Sequence, residues 1–375
     1  MRFSDIKGNQ EVKNALASMV NSGKVPHAIM FHENEGCGGI AMAMAFLQYL
    51  MCGARDGVDS CGECPTCNKI NKLIHPDIHF IFPVASGSKV STDKPTSESY
   101  AKYWRELVVE NPFFLDSDLN AALGIESKSS VIAVAEAKGV IDTLALSALE
   151  GGYRCIVVYL PEKMNAETAN RLLKSIEEPP EFTQFVFITH APEKVLVTIS
   201  SRCLAIRLLP LSREEVAEVL VERFGKNQAE ATDAAAMSGG SVGKALSYLA
   251  EAEEAEADFQ LLSSLLRALA QKDLSSALDA GEAMAALPSR EKQKAFCKYM
   301  AEAFRSIFML QQKLPQMVSA PEREMSLFQE IAARVRRTFP RQAEEYMNRA
   351  YMLIERNVNQ KILFCDMVDR LYTMV

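Results

Sequence analysis

The chain has 375 residues, 48% of them hydrophobic, nine cysteines and a formal net charge of -7 at pH 7. That length predicts two or three domains with substantial cores, and the acidic balance excludes bulk charge as the means of holding nucleic acid. The N-terminus, Met1-Arg2-Phe3-Ser4-Asp5-Ile6, does not read as a secretory leader, and no apolar run approaches a membrane span. The expectation is a cytoplasmic protein with no membrane partner.

Val12, Leu16, Met19 and Val20 recur at helical spacing, so residues 1–24 read as an amphipathic helix behind a short lead with a turn at Ser4–Gly8. The rest of the chain is organised around the stretch from His27 to Met42. Ala28–Phe31 predicts a short buried strand, Gly36, Gly38 and Gly39 a glycine-rich turn, and Ile40–Cys52 a helix buried on most sides. This is the outline of a phosphate-binding loop, in which backbone N–H groups cradle phosphates, a Lys neutralises them and a Ser or Thr holds magnesium. The chemistry is missing. Gly39 and Ile40 stand where the Lys and hydroxyl belong, and Glu33 stands at the first glycine of the pattern. No bound ATP is expected.

Cys52, Cys61, Cys64 and Cys67 come next, with two overlapping Cys-x-x-Cys steps in a small polar loop. Four thiolates at such spacing close a tetrahedral zinc site of the structural kind. The plainer alternative is a core Cys52 beside three free thiols, and a redox Cys-x-x-Cys is a lesser one. The other five cysteines are scattered, which fits a reducing compartment. His75-Pro76-Asp77 is read as ending the next helix and Ile78–Val84 as the second strand. His75 and His79 read as polar residues at the start of that strand rather than as ligands. Residues 86–99 read as a polar loop. Tyr100–Val109 reads as a helix whose aromatics, Trp104 among them, make a local core in preference to a stacking platform.

Val131–Leu149 predicts a helix with a turn at Glu150–Gly152. Cys155–Leu160 is a continuous apolar run, as in the centre of a parallel sheet. In a P-loop ATPase that strand ends in magnesium-binding carboxylates; Tyr159 and Leu160 stand there instead. Asn165–Glu178 reads as a helix stopped by Pro179-Pro180, Phe185–Thr189 as a strand, and Ala205–Leu209 as the last strand. Strands and helices alternate through 1–209, the pattern of an α/β domain with a parallel sheet. Beyond it the chain is helical throughout: Glu214–Phe224, Ala229–Ser238 and Val242–Ala250 as a three-helix unit, an Ala-and-acid stretch at 251–258, and about five helices over 259–375. Arg334, Arg336, Arg337 and Arg341 form a basic patch that reads as a solvated face rather than a nucleic-acid contact.

Taken together, these residues resemble a known family. Val25-Pro26-His27-Ala28, the four-cysteine insertion, His75-Pro76-Asp77, Ala169–Lys174 running into Glu177-Glu178-Pro179-Pro180, and Thr198-Ile199-Ser200-Ser201-Arg202-Cys203 occur in the order found in AAA+ clamp-loader subunits of bacterial DNA polymerase III. The degenerate loop resembles the delta-prime branch. The resemblance implies an AAA+ core at 1–209 with a zinc module at 52–67 and an insertion at 85–130, a three-helix lid at 210–250, and a helical collar for oligomerisation at 251–375. It implies a hetero-oligomeric ring with gamma/tau-type and delta-type subunits. Primed DNA and the sliding clamp are met through that complex, itself part of a DNA-directed DNA polymerase.

It also implies that Arg202, in Ser-Arg-Cys, reaches the ATP of the neighbouring subunit. An Arg supplied in trans stabilises charge on a transferring phosphoryl group. The alternative is that Arg202 pairs with a local carboxylate. Lys244 sits where relatives carry a second phosphate sensor, and with the loop lost its role is open. The chain itself would be no ATPase. Two competing readings are an active gamma/tau-like motor, against which Gly39, Ile40, Tyr159 and Leu160 stand, and an independent zinc-dependent nucleic-acid-binding protein, against which the net charge stands.

Overall fold

The five apolar runs pair as strands. In the computed structural model, which describes residues 1–126, 128–318, 320–356 and 358–375, they are β1 (Ala28–His32), β2 (Ile78–Ile81), β3 (Arg154–Tyr159), β4 (Thr183–Thr189) and β5 (Leu204–Arg207). They form one parallel sheet in the order β2-β3-β4-β1-β5. β1 follows β4 in space although it comes first in the chain, so the carboxyl end of β1 opens between two crossovers, where α/β sheets hold ligands.

Residues of β1, β3 and β4 alternate between two apolar layers, which is why these strands are apolar on both faces, whereas the edge strand β5 is largely exposed. Phe31, Val157, Tyr159, Val186 and Ile188 face a core shared with the helices Gln10–Asn21 and Gly39–Met51. Met30, Ile156, Val158, Phe185 and Phe187 face a second core with Val134–Ala145 and Ala166–Glu177. This is the parallel α/β core expected from the sequence, accompanied by helices.

Residues 1–249 form one compact unit and 250–375 another. The first includes the helices Arg213–Phe224 and Gln228–Met237. The helix beginning at Val242 does not stop at Ala250 as expected but runs to Gln271. The Ala-and-acid stretch carries no Gly or Pro, and alanine and glutamate are good helix formers, so nothing in it ends the helix. The second unit continues with Leu274–Ala285, Arg290–Gln311, Glu322–Arg334, Phe339–Glu355 and Gln360–Met374. They surround Phe296, Phe304, Phe328, Phe339 and Phe364.

Other boundaries move for identifiable reasons. The helix expected at Val131–Leu149 covers only Val134–Ala145, because Val131 and Ile132 bridge to Val84 and Met164. The helix before β2 is Pro65–Asn71, so His75-Pro76-Asp77 lies beyond its end; Asp77 instead accepts the N–H groups of Leu149 and Glu150 at 2.7 and 3.0 Å. A helix at Asp116–Leu123, capped by Asp118 on the Leu115 N–H, was not expected. Among the described residues no helix is long and apolar enough to cross a membrane.

The Trp104 ring is 2% exposed and stacks on Phe82 at 4.3 Å; with Phe114 and Tyr159 it belongs to the main core rather than to the separate local one expected. As the sole tryptophan it reports on this unit. Phe187, fully buried in the sheet, tests the second core. Phe187→Ala is expected to lower stability by about 3–5 kcal/mol, read as an earlier urea midpoint in Trp104 fluorescence; a midpoint shift corresponding to under about 1 kcal/mol would show that this layer is not tightly packed.

Candidate functional site

The turn after β1 has the course of a phosphate loop but is already filled. Glu33 follows β1, its N–H donating to the Thr189 carbonyl at 3.1 Å, and it is 8% exposed. Its Oε2 accepts the Gly39 N–H at 2.7 Å, at the first residue of the helix Gly39–Met51. Helix N-termini present free N–H groups and partial positive charge, which is why phosphates bind there. Here an internal carboxylate takes that place. Gly39 has to be glycine for it: a β-carbon there would lie 2.5 Å from Glu33 Oε1. Gly36 and Gly38 both adopt positive φ, and Ile40 is buried.

Around Glu33 the fold gathers groups that sequence reasoning passed over. His190, directly after β4, lies 3.6 Å from Glu33 through Nε2 and 3.6 Å from Asp116 through Nδ1. Asp116 donates its N–H to Glu35 at 2.6 Å and pairs with Lys163 at 3.5 Å. Glu162 accepts from Thr189 Oγ1 at 2.8 Å and from the His190 N–H at 3.1 Å. Tyr159 at the end of β3 is 2% exposed and donates to Asp116 at 3.5 Å, while Leu160 adopts a left-handed φ of 57° that turns the chain toward Glu162. The acidic groups of this site therefore come from three places, Glu33 and Glu35 after β1, Asp116 at the start of the helix Asp116–Leu123 and Glu162 just past β3, and none from β3 itself. The signal was a polar pair, Glu162-Lys163 and Thr189-His190, at the ends of two apolar strands.

Burial disfavours protonation of His190, but Glu33, Asp116 and Glu162 outweigh it and raise its pKa above the ordinary 6.5. The same carboxylates and burial push Tyr159 up, so it stays neutral. A raised histidine stabilises the fold fully below its unfolded value, and that contribution fades as pH climbs through the folded value.

The four cysteines converge as a separate group, with all four sulfurs within 4.8 Å of one another. Cys52 and Cys61 are 3.6 Å apart, and Cys61 and Cys67 3.8 Å. Four sulfurs around zinc at about 2.3 Å are about 3.8 Å apart, so the donor set fits that ion. Backbone N–H groups of Cys61, Cys64 and Cys67 donate to the sulfurs of Cys52, Cys61 and Cys64 at 3.5, 3.4 and 3.4 Å. The backbone N–H groups of Glu63 and Cys64 hold the Cys61 thiol down to about 6, whereas burial pushes Cys67 up.

Arg202 lies just before β5, away from these groups in the sequence and in its partners. Its guanidinium pairs with Glu177 and donates to the Thr198 carbonyl at 2.7 Å, with the side chain 32% exposed. Lys244 is exposed, and its N–H donates to Ser241 Oγ at 3.2 Å.

Residues 8–212 match the family described as DNA polymerase III, delta subunit. The chain belongs to that family. A DNA polymerase III subunit delta' of Yersinia pestis is 30% identical over 190 residues, 50% of this chain and 43% of the relative. A DNA polymerase III subunit gamma/tau of Mycobacterium tuberculosis is 27% identical over an alignment of 370 residues, covering 91% of this chain and 56% of the relative. The chain spans about half the length of the curated relatives it matches. A DNA polymerase III gamma-subunit-related protein of Thermotoga maritima, 14% identical, superposes with a TM-score of 0.35 over 96% of this chain and 99% of its own.

The His190 cluster makes a prediction of its own. The melting-temperature gap between wild type and His190→Gln is expected to be widest below pH about 6.5 and to shrink as pH rises above it. Melting curves across that range check it; a gap constant with pH would mean that His190 is held by packing alone.

Proposed function

We propose that this chain is a delta-prime-like subunit of the bacterial clamp loader, a non-hydrolysing member of a hetero-oligomeric ring that loads the sliding clamp onto primed DNA. The observation that carries this reading is the Glu33 carboxylate on the Gly39 N–H. An incoming phosphate would meet a negative charge at the one place where a helix offers it N–H groups. The lost Lys, hydroxyl and strand-end carboxylates at Gly39, Ile40, Tyr159 and Leu160 agree with it.

In this reading the chain's own contribution to hydrolysis is Arg202, given in trans to a neighbour's ATP. Glu177 and the Thr198 carbonyl hold the guanidinium at a half-exposed position, where a neighbour's phosphate can displace the carboxylate. The collar at 251–375 would join the ring. Zinc bound by Cys52, Cys61, Cys64 and Cys67 would supply a closed structural crosslink between the end of Gly39–Met51 and the start of Pro65–Asn71. The gamma/tau likeness favours a second reading, an active motor.

ATP turnover separates the two. The chain alone is expected to be silent, and Arg202→Ala is expected to depress turnover of the reconstituted complex with clamp and primed DNA. The loss at the site served would be on the order of 10³-fold or more, the usual worth of such a finger. Hydrolysis by the chain alone would establish the motor; unchanged turnover of the complex would leave Arg202 a structural partner of Glu177.

Metal analysis of the purified protein is expected to return about one zinc per chain, lost with a melting-temperature drop on chelation or in Cys61→Ser. Protein free of zinc with an unaltered melting curve would remove the metal from the account.

A further inference from the structure

The 85–130 insertion has no part in the function so far described, yet its segment Phe113–Asp116 lies against the loop. Phe113 and Leu115 are 5% and 9% exposed, and Phe113 belongs to the main core. A β-carbon on Gly38 would lie 2.8 Å from the Phe113 ring, and one on Gly36 would lie 2.9 Å from Leu115 Cδ2. The same two residues touch the other side of the cleft. A β-carbon on Gly243 would collide with the Phe113 carbonyl and lie 2.8 Å from Leu115 Cδ2.

The loop and the Gly240–Gly243 turn are also bonded directly. Gly243 donates its N–H to the Gly36 carbonyl at 3.1 Å, and Ser241 Oγ donates to the Glu35 carbonyl at 2.8 Å. Next to Leu115, Asp116 joins the cluster through Glu35, Lys163 and His190. One segment thus contacts the glycine loop, the strand-end charges and the turn that begins the last helix of this unit.

In a P-loop ATP-binding protein the loop takes the phosphates and the strand-end carboxylates take the metal, so a bound nucleotide joins these elements. We propose that Phe113–Asp116 is an internal occupant of the vestigial nucleotide cleft, standing in for the ligand and clamping the helices of 210–249 to the sheet without any nucleotide. The inference rests on the reading of the cleft as nucleotide-free and assigns its closure to named residues. Apolar Phe113 and Leu115 supply burial against the loop itself, and Glu33 and Asp116 supply anions at the loop and the strand ends. Closure of this kind is permanent, so the unit has one arrangement rather than a ligand-gated pair.

The test is amide hydrogen exchange on the full chain, read by mass spectrometry at peptides covering 36–42 and 240–246, for wild type, Phe113→Ala/Leu115→Ala, Leu115→Ala and Phe113→Leu. Each is measured with and without millimolar MgATP. The expected result is a loss of protection of about tenfold or more at both peptides together in the double variant. A smaller joint loss is expected in Leu115→Ala, and wild-type protection in Phe113→Leu, which keeps an apolar group in the cleft. Should the double variant not fold, the joint loss in Leu115→Ala decides. Loss at 36–42 with 240–246 unmoved would overturn the clamp, since the segment would then only cover the loop. The ATP arm is separate: protection gained by wild type with MgATP would overturn the nucleotide-free reading, whatever the variants do.

Discussion

A buried carboxylate at a helix N-terminus governs the first unit. Leaving Glu33 in the interior without partners is costly, and the fold meets that cost with the Gly39 N–H and with His190. Each partner then constrains something else. Gly39 admits no side chain, so the residue that would neutralise a phosphate has no room. His190 is held between Glu33 and Asp116, which draws the start of the helix Asp116–Leu123 to the sheet. On the proposed reading the loop is thus an alternative arrangement with its own requirements, more than a set of missing groups.

The sheet was legible because its central strands are buried on both faces. Five apolar runs too short for helices and separated by helical periods leave little choice but a parallel α/β core. What failed were ends set by distant partners. Val131 and Ile132 look like the first turn of a helix, yet Val84 and Met164 recruit them as bridges. Val242–Gln271 has no local signal at position 250, where the chain passes from one compact unit to the next, since that boundary is a matter of which neighbours each half finds.

The site divides in the same way. The glycine loop and the four cysteines are local patterns, so spacing alone groups their residues before any coordinates do. Cys52 is the informative member, with eight residues between it and the next sulfur at the end of a buried helix, yet 3.6 Å from Cys61. His190, Asp116 and Glu162 were not legible as a group, because three separate segments carry them and only the crossovers of the sheet bring them to Glu33. The insertion was unreadable for a further reason: its polar first half disguises an apolar segment whose partners lie at Gly36, Gly38 and Gly243.

Arg202 shows how a group can be prepared for a partner outside the chain. A guanidinium is always charged, and on a surface it finds whichever carboxylate is near; here that is Glu177, from the end of the helix before Pro179-Pro180. A surface pair of this kind is worth about 0–1 kcal/mol, so it orients the side chain without trapping it. A triphosphate offers more charge and more acceptor oxygens than one carboxylate, and an exchange of partners would favour it. On the proposed reading the two halves of the molecule's chemistry are therefore opposite in character. Glu33 fills the chain's own cleft from within, with buried partners that do not exchange, while Arg202 is tethered by a pair weak enough to be given up at an interface.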